Sequence, residues 1–152
     1  MTVVLDALTK TVTVPVAPDL AFAFFTRDIA RWWPLATHSV GEFDAVSVHI
    51  EPRQGGHIVE TVRDGGVHVW GTVTGWEPPH RLAFTWHPGS PEEQATAVEV
   101  GFTAAGAGTV VTLVHTGWEN RPDGAGARQG YDTGWDVVLG HLVDFATKAT
   151  AG

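Results

Sequence analysis

Alternating apolar and polar positions run through most of the first 116 residues and predict a series of half-buried strands. Successive side chains of a strand point to opposite faces, so one face collects every second residue. The strand candidates are residues 10–16, 46–50, 58–62, 69–76, 82–86, 98–102 and 111–115. In the second of them, Val46, Val48 and Ile50 are predicted to share one face. Gly55-Gly56 and other short turn sequences separate the candidates and favour an antiparallel meander.

Two stretches have a helical period instead. A short helix is predicted from Pro18, with Leu20 and Phe24 on its apolar side, running towards Trp32-Trp33-Pro34, and residues 35–43 are predicted to be a loop. Near the end of the chain, apolar residues recur every three to four positions, which predicts one long amphipathic helix. Its apolar stripe consists of Tyr131, Trp135, Val138, Leu142 and Phe145, and its polar side of Asp132, Asp136 and Asp144.

The order of elements predicts an α+β fold of the helix-grip type. A curved antiparallel sheet of about six to seven strands would wrap around the long C-terminal helix, with short helices after the first strand. A sheet with one apolar face has to bury that face, and only the last helix is long enough to cover it. Residues 1–152 are predicted to form one domain with a core at about 10–147. We expect a cavity between sheet and helix.

Composition excludes several classes of protein. The net charge is -8 and the only lysines are Lys10 and Lys148, which argues against nucleic-acid partners and anionic membrane surfaces. Cysteine is absent, which excludes disulfides and thiolate chemistry. No apolar run has membrane-spanning length, and the first residues, MTVVLDALTK, lack the basic start of a signal peptide. We therefore expect a cytoplasmic protein.

Several motifs together resemble the SRPBCC superfamily, the helix-grip group that includes START domains and the birch-pollen allergen type. They are WWP at 32–34, RQGGH at 53–57, WGTV at 70–73, WEPPHRL at 76–82, FTW at 84–86, EVGF at 99–102, GTVVTLVH at 108–115 and GW at 134–135. Within the superfamily, the chain is most similar to the subgroup named after the activator of the heat-shock-protein ATPase. The resemblance implies a hydrophobic pocket between sheet and helix and provides no catalytic set. Members of the superfamily include lipid carriers, hormone receptors, cyclase-type polyketide enzymes and a co-chaperone.

Two polar residues fall on predicted apolar faces and are candidates for chemistry. Glu60 lies in register with Ile58 and Val62, where an unpaired carboxylate would be costly. It would therefore be a ligand anchor or an acid/base, unless a bulge or edge position turns it to solvent or to an arginine. His115 follows Val111 and Leu113, where it would contact a ligand, transfer a proton, or serve as a hydrogen-bonded core histidine.

Aromatic residues are the second group of candidates, because seven tryptophans carry a large apolar area. Each of them is either core or a wall of a pocket suited to flat apolar ligands. The predicted ligand-binding aromatics are Trp33, Trp70, Trp86, Trp118, Tyr131 and Trp135. The resemblance implies that His38 and Trp33 lie in a segment near the mouth of the pocket.

Three other sequence patterns resemble functional motifs but lack the spacing or the context that each motif requires. The sequence GAGARQG at 124–130 lacks the spacing and the βαβ context of a dinucleotide loop. The sequence THSVG at 37–41 is only half of a nucleophile elbow. The eight histidines do not show metal-ligand spacing. We therefore predict no cofactor and no metal.

Three functions remain open on these grounds. The first is the binding of an apolar or aromatic small molecule between sheet and helix. The second is a cyclase, dehydratase or hydrolase that uses Glu60 or His115 as acid/base. The third is a co-chaperone-like interaction module. Separately, Val110 and Val114 are predicted to face outward and suggest a homodimer contact.

Overall fold

The fold is a curled seven-stranded antiparallel sheet closed on one side by helices, as described by a computed structural model for residues 6–151. The strands are β1 (Leu8–Val14), β2 (Ala45–Ile50), β3 (His57–Val62), β4 (Val67–Glu77), β5 (Arg81–Trp86), β6 (Thr96–Ala105) and β7 (Gly108–Thr116). The helices are α1 (Pro18–Thr26), α2 (Ile29–Trp32) and α3 (Gly124–Ala151). Residues 1–5 and residue 152 lie outside the described part. The prediction that the chain has no signal peptide concerns the first residues and stays a prediction.

The strand order is β1-β7-β6-β5-β4-β3-β2, with every neighbouring pair antiparallel. Strands β2 to β7 follow one another as a meander, and β1 joins the far side by pairing with β7. Helix α3 lies along the concave face and is held to β1 by Lys10, which bridges Asp132 and Asp136. The α+β helix-grip prediction is confirmed.

The core lies between the concave face of the sheet and the helices. Leu82, Val100, Val111 and Leu113 from the central strands are fully buried there, together with Leu139 and Leu142 of α3. Phe24 of α1 packs edge-on against Phe145 of α3 at 4.9 Å between ring centroids. Among the described residues, none of the helices has the combination of length and apolar character that a bilayer crossing requires.

Two local predictions were wrong. Leu20 is 40% exposed, because α1 turns Phe22 and Phe25 towards the sheet and leaves its first turn at the surface. Val46 is exposed because a β-bulge between Ala45 and Ser47 shifts the register against β3. Helix α3 begins at Gly124, ahead of Tyr131, which is the first residue of the predicted apolar stripe.

Candidate functional site

A cavity of about 390 Å³ lies between α3, the end of β5 and the loop that follows α2. Helix α3 contributes Tyr131, Trp135 and Val138, and the loop contributes residues 37–40. The complete lining consists of Trp33, Thr37, His38, Ser39, Val40, Trp86, Pro88, Gly89, Tyr131, Trp135 and Val138. The cavity therefore lies where the sequence predicted one, between sheet and helix.

Packed indole rings form its inner walls. The ring of Trp33 lies 5.9 Å from that of Trp86 and 5.9 Å from that of Trp135, between centroids. Trp86 and Trp135 are themselves 5.5 Å apart. Trp70 packs behind them, 5.2 Å from Trp33. Because each ring packs against two or more others, the indole side chains have little room to change rotamer.

Each of the three wall tryptophans uses its N–H group within the protein. Trp33 donates to the carbonyl oxygen of His38 at 2.7 Å, and Trp86 donates to the hydroxyl oxygen of Tyr131 at 3.1 Å. Trp135 donates to Nδ1 of His115 at 3.0 Å. An indole has no other polar group. The three side chains therefore present only ring surface to the cavity.

His115 is a buried, neutral member of a hydrogen-bonded chain. Because Trp135 donates to Nδ1, the imidazole proton resides on Nε2, which lies 2.6 Å from the Thr96 hydroxyl. Thr96 in turn donates to the carbonyl oxygen of Trp86. Burial, with a smaller contribution from Arg121, lowers the pKa of His115 to about 3. Both ring nitrogens are engaged and the side chain does not line the cavity.

Trp118 supports His115 from the other side. Its ring lies 4.0 Å from the imidazole centroid, and its N–H donates to the carbonyl oxygen of His115 at 3.1 Å. Both residues are fully buried. Trp118 is therefore core packing behind the wall that Trp135 forms.

Glu60 is also fully buried, and its carboxylate holds the loop that covers the cavity. It accepts hydrogen bonds from the backbone N–H groups of Val40 and Gly41, both at 2.8 Å, and from the indole of Trp70 at 2.9 Å. Three donors satisfy two oxygens that can only accept when ionised. The carboxylate turns neither to solvent nor to an arginine, and it lies behind the cavity lining.

Two titratable side chains do border the cavity. Burial lowers the pKa of His38, and the nearby His141 lowers it further. Burial raises the pKa of Tyr131, and the hydrogen bond from Trp86 partly opposes that rise. Both groups are therefore uncharged near neutral pH, and the cavity lining carries no formal charge.

The structure brings five of the nine predicted site residues to the cavity: Trp33, His38, Trp86, Tyr131 and Trp135. It places Glu60, Trp70, His115 and Trp118 in the layer behind. Sequence reasoning missed Thr37, Ser39, Val40, Pro88, Gly89 and Val138 as lining. The irregular segment after Trp32-Trp33-Pro34 could have indicated the lining residues at 37, 39 and 40, because loops beside a rigid scaffold often carry binding residues.

Comparison with known proteins gives a family and several solved structures that cover most of the chain. Residues 15–147 match the family described as Activator of Hsp90 ATPase homolog 1-like protein. The structure of Txn09, an anthrahydroquino-γ-pyrone synthase, is 31% identical and has a TM-score of 0.63, and the match covers 95% of this chain and 97% of that one. No curated protein sequence gives a significant match.

Two further solved structures show the same fold at lower identity. MLL2253 from Mesorhizobium loti is 18% identical with a TM-score of 0.68, over 94% of this chain and 98% of that one. CalU16 from Micromonospora echinospora is 20% identical with a TM-score of 0.63, over 91% and 73%. The family match and the similarity to Txn09 confirm the SRPBCC resemblance, and the fold supports a ligand-binding domain. The chain belongs to the Activator of Hsp90 ATPase homolog 1-like protein family.

Proposed function

We propose that the protein binds a planar, mainly apolar aromatic molecule in the cavity between sheet and helix. The observation that carries this proposal is the internal use of the indole N–H groups of Trp33, Trp86 and Trp135. Since these walls have no free donor, they favour a ligand that offers ring surface. Aromatic contacts of this kind contribute about 0.5–1.5 kcal/mol each beyond burial of area.

The size of the cavity supports a ligand of two or three fused rings. Its volume of about 390 Å³ is at the lower end of the range of small-molecule pockets, roughly 300–1,000 Å³. The similarity to Txn09 points the same way, because an anthrahydroquino-γ-pyrone synthase makes a product with fused rings.

Equilibrium dialysis with fluorene, a neutral planar hydrocarbon, tests the proposal. Val138 lines the cavity and is 2% exposed, whereas its neighbour Val137 is 40% exposed. We expect Val138→Phe to fill the cavity and lower fluorene affinity at least tenfold, and Val137→Phe to bind fluorene as the wild type does. Equal binding by both variants, or no binding by the wild type, would overturn the proposal.

A second candidate is an enzyme of the cyclase, dehydratase or hydrolase kind, which the similarity to a synthase favours. Glu60 and His115 are fully hydrogen-bonded behind the lining, so an acid/base role would fall to His38 or Tyr131. The test is to extract whatever co-purifies with the protein and to return it to fresh protein. Dehydration lowers its mass by one water, hydrolysis adds one water or splits it into two fragments that together contain the added water, and cyclisation changes its chromatographic retention. Recovery of unchanged ligand would contradict an enzyme.

The interaction module and the homodimer stay predictions. The family description supports the interaction module, and a chaperone ATPase assay with added protein tests it.

The homodimer contact was predicted at Val110 and Val114, and both do lie on the outer face of β7. Their cross-strand neighbours are polar, namely Thr13 and Thr103 beside Val110, and Thr9 and Glu99 beside Val114. Sedimentation equilibrium of wild type and Val114→Lys tests whether a dimer forms there.

A further inference from the structure

The cavity lining contains few polar side-chain groups, and most of their hydrogen-bonding capacity is already used. The polar side chains are those of Thr37, His38, Ser39 and Tyr131. Ser39 donates to the carbonyl oxygen of Leu35 and accepts from the backbone N–H of Glu42. Its hydroxyl therefore has no proton left for a ligand.

Tyr131 has a hydroxyl proton to give. Its oxygen accepts from Trp86, whose indole nitrogen can only donate, so the phenol proton takes no part in that bond. Within residues 6–151, no acceptor lies in hydrogen-bonding position for this proton. Because burial raises the pKa of Tyr131, the proton is retained at neutral pH. The hydroxyl is thus a donor beside the cavity.

His38 offers a second donor, which is the N–H group at Nε2 of its neutral ring. Its Nδ1 lies 2.7 Å from the Thr37 hydroxyl, whereas that hydroxyl lies 3.4 Å from the carbonyl oxygen of Pro34. The longer distance is poor for an O–H donor, so the Thr37 proton is better directed to Nδ1. In the neutral ring the remaining proton then resides on Nε2. In the described part of the chain, nothing accepts from Nε2.

We propose that the ligand is an aromatic ketone or quinone, bound with a carbonyl edge towards Tyr131 and His38. The inference rests on the proposed function, that an aromatic molecule occupies the cavity. A pure hydrocarbon would cover two polar hydrogens and leave them without partners, which costs the hydrogen bonds that they make to water in the free protein. Carbonyl oxygens supply lone pairs and need no donor in return. The indole walls contact the rings of the ligand. The donors of Tyr131 and His38 determine which edge of the ligand faces the opening of the cavity.

Matched probes separate this inference from the proposed function. Fluorenone and fluorene share one planar ring system, and only fluorenone has a carbonyl group. We expect the wild type to bind fluorenone roughly tenfold more tightly than fluorene in equilibrium dialysis, as two modest hydrogen bonds would give. Tyr131→Phe and His38→Leu should each lower the ratio of fluorenone affinity to fluorene affinity about threefold to fivefold. His49→Phe, a change on an exposed strand position, should alter neither.

The infrared carbonyl band of bound fluorenone provides a readout that a purely structural role would not move. A donated hydrogen bond lowers the stretching frequency, so the band should lie lower in the wild type than in Tyr131→Phe. Equal binding of both probes by the wild type, with an unshifted band, would overturn the carbonyl inference and leave the aromatic cavity standing. Failure of both probes to bind would overturn the two proposals together.

Discussion

Trp135 and His115 form a fixed pair, in which the indole N–H of Trp135 donates to Nδ1 of His115 at 3.0 Å. The pair determines the imidazole tautomer and, through Thr96, connects Trp135 to the backbone of Trp86. Two walls of the cavity are therefore held by one buried imidazole. We therefore regard His115 as a positioning residue.

The stability of the protein should depend on the protonation of His115. Its pKa is about 3 in the folded protein and 6.5 as its ordinary value, so the unfolded chain binds the additional proton between these pH values. The contribution of His115 is present in full above about pH 6.5. It is lost at about 1.4 kcal/mol per pH unit as the pH falls towards 3.

Urea unfolding of wild type and His115→Gln at pH 7.5, 5.5 and 4.5 isolates this effect, because the carboxylates titrate in both proteins. We expect the difference in unfolding free energy between them to shrink as the pH falls. A difference that stays constant with pH would show that His115 is not held neutral.

Removing the negative charge of Glu60 should loosen the loop over the cavity. In Glu60→Gln, one oxygen is replaced by an NH₂ group that faces an N–H donor of Val40, Gly41 or Trp70 instead of accepting from it. We expect a loss of about 3 kcal/mol in unfolding free energy, since hydrogen bonds to charged groups contribute about 1.5–3 kcal/mol each. Fluorene affinity should fall as well.

Glu93→Gln is the matched control for that change, because Glu93 is exposed in a surface turn. It should unfold at the wild-type urea concentration. Amide hydrogen exchange at Val40 and Gly41 should accelerate only in the Glu60 variant. Unchanged exchange there would contradict the tethering role.

The close approach of β4 and β5 at Gly71 should not tolerate a side chain. A Cβ atom at this position would lie 1.7 Å from the carbonyl oxygen of Thr85, which belongs to the backbone and cannot rotate away. We expect Gly71→Ala to cost more than about 4 kcal/mol or to prevent folding. Gly101→Ala, in β6 with no atom within 4 Å of the added carbon, should change stability by less than about 0.5 kcal/mol. Thermal unfolding of the two variants and the wild type tests this expectation, and equal midpoint temperatures for the two variants would contradict it.

Helix α3 should gain stability from alanine at Gly140. This residue lies in the interior of the helix and is exposed, and an added Cβ meets no atom within 4 Å. Glycine is about 0.8–1.0 kcal/mol less favourable than alanine in a helix interior. We therefore expect Gly140→Ala to raise the unfolding free energy by up to about 1 kcal/mol without changing fluorene affinity. A decrease in stability would mean that the glycine serves close packing.

The register of the central strands was predictable because their alternation is uninterrupted. Leu82, Phe84 and Trp86 share a buried face, as do Val111, Leu113 and His115. The position of Val46 was not predictable, because a one-residue bulge reverses the face of a strand without leaving a composition signal. The early start of α3 was hidden for a similar reason, since the glycines at 124, 126 and 130 have no side chain to show a period.

The helix-grip architecture and the aromatic nature of the cavity were predictable, because both follow from the spacing of apolar residues along the chain. The roles of individual polar residues were not, because they depend on which elements meet in three dimensions. Glu60 and His115 were predicted to lie on apolar faces, and both are buried, but their hydrogen bonds go to Val40, Gly41, Trp70, Thr96 and Trp135. Partners up to 20 residues away satisfy these groups, and such pairings depend on how strands and helices meet. For the same reason, His38 and Tyr131, and not these two buried residues, face the cavity.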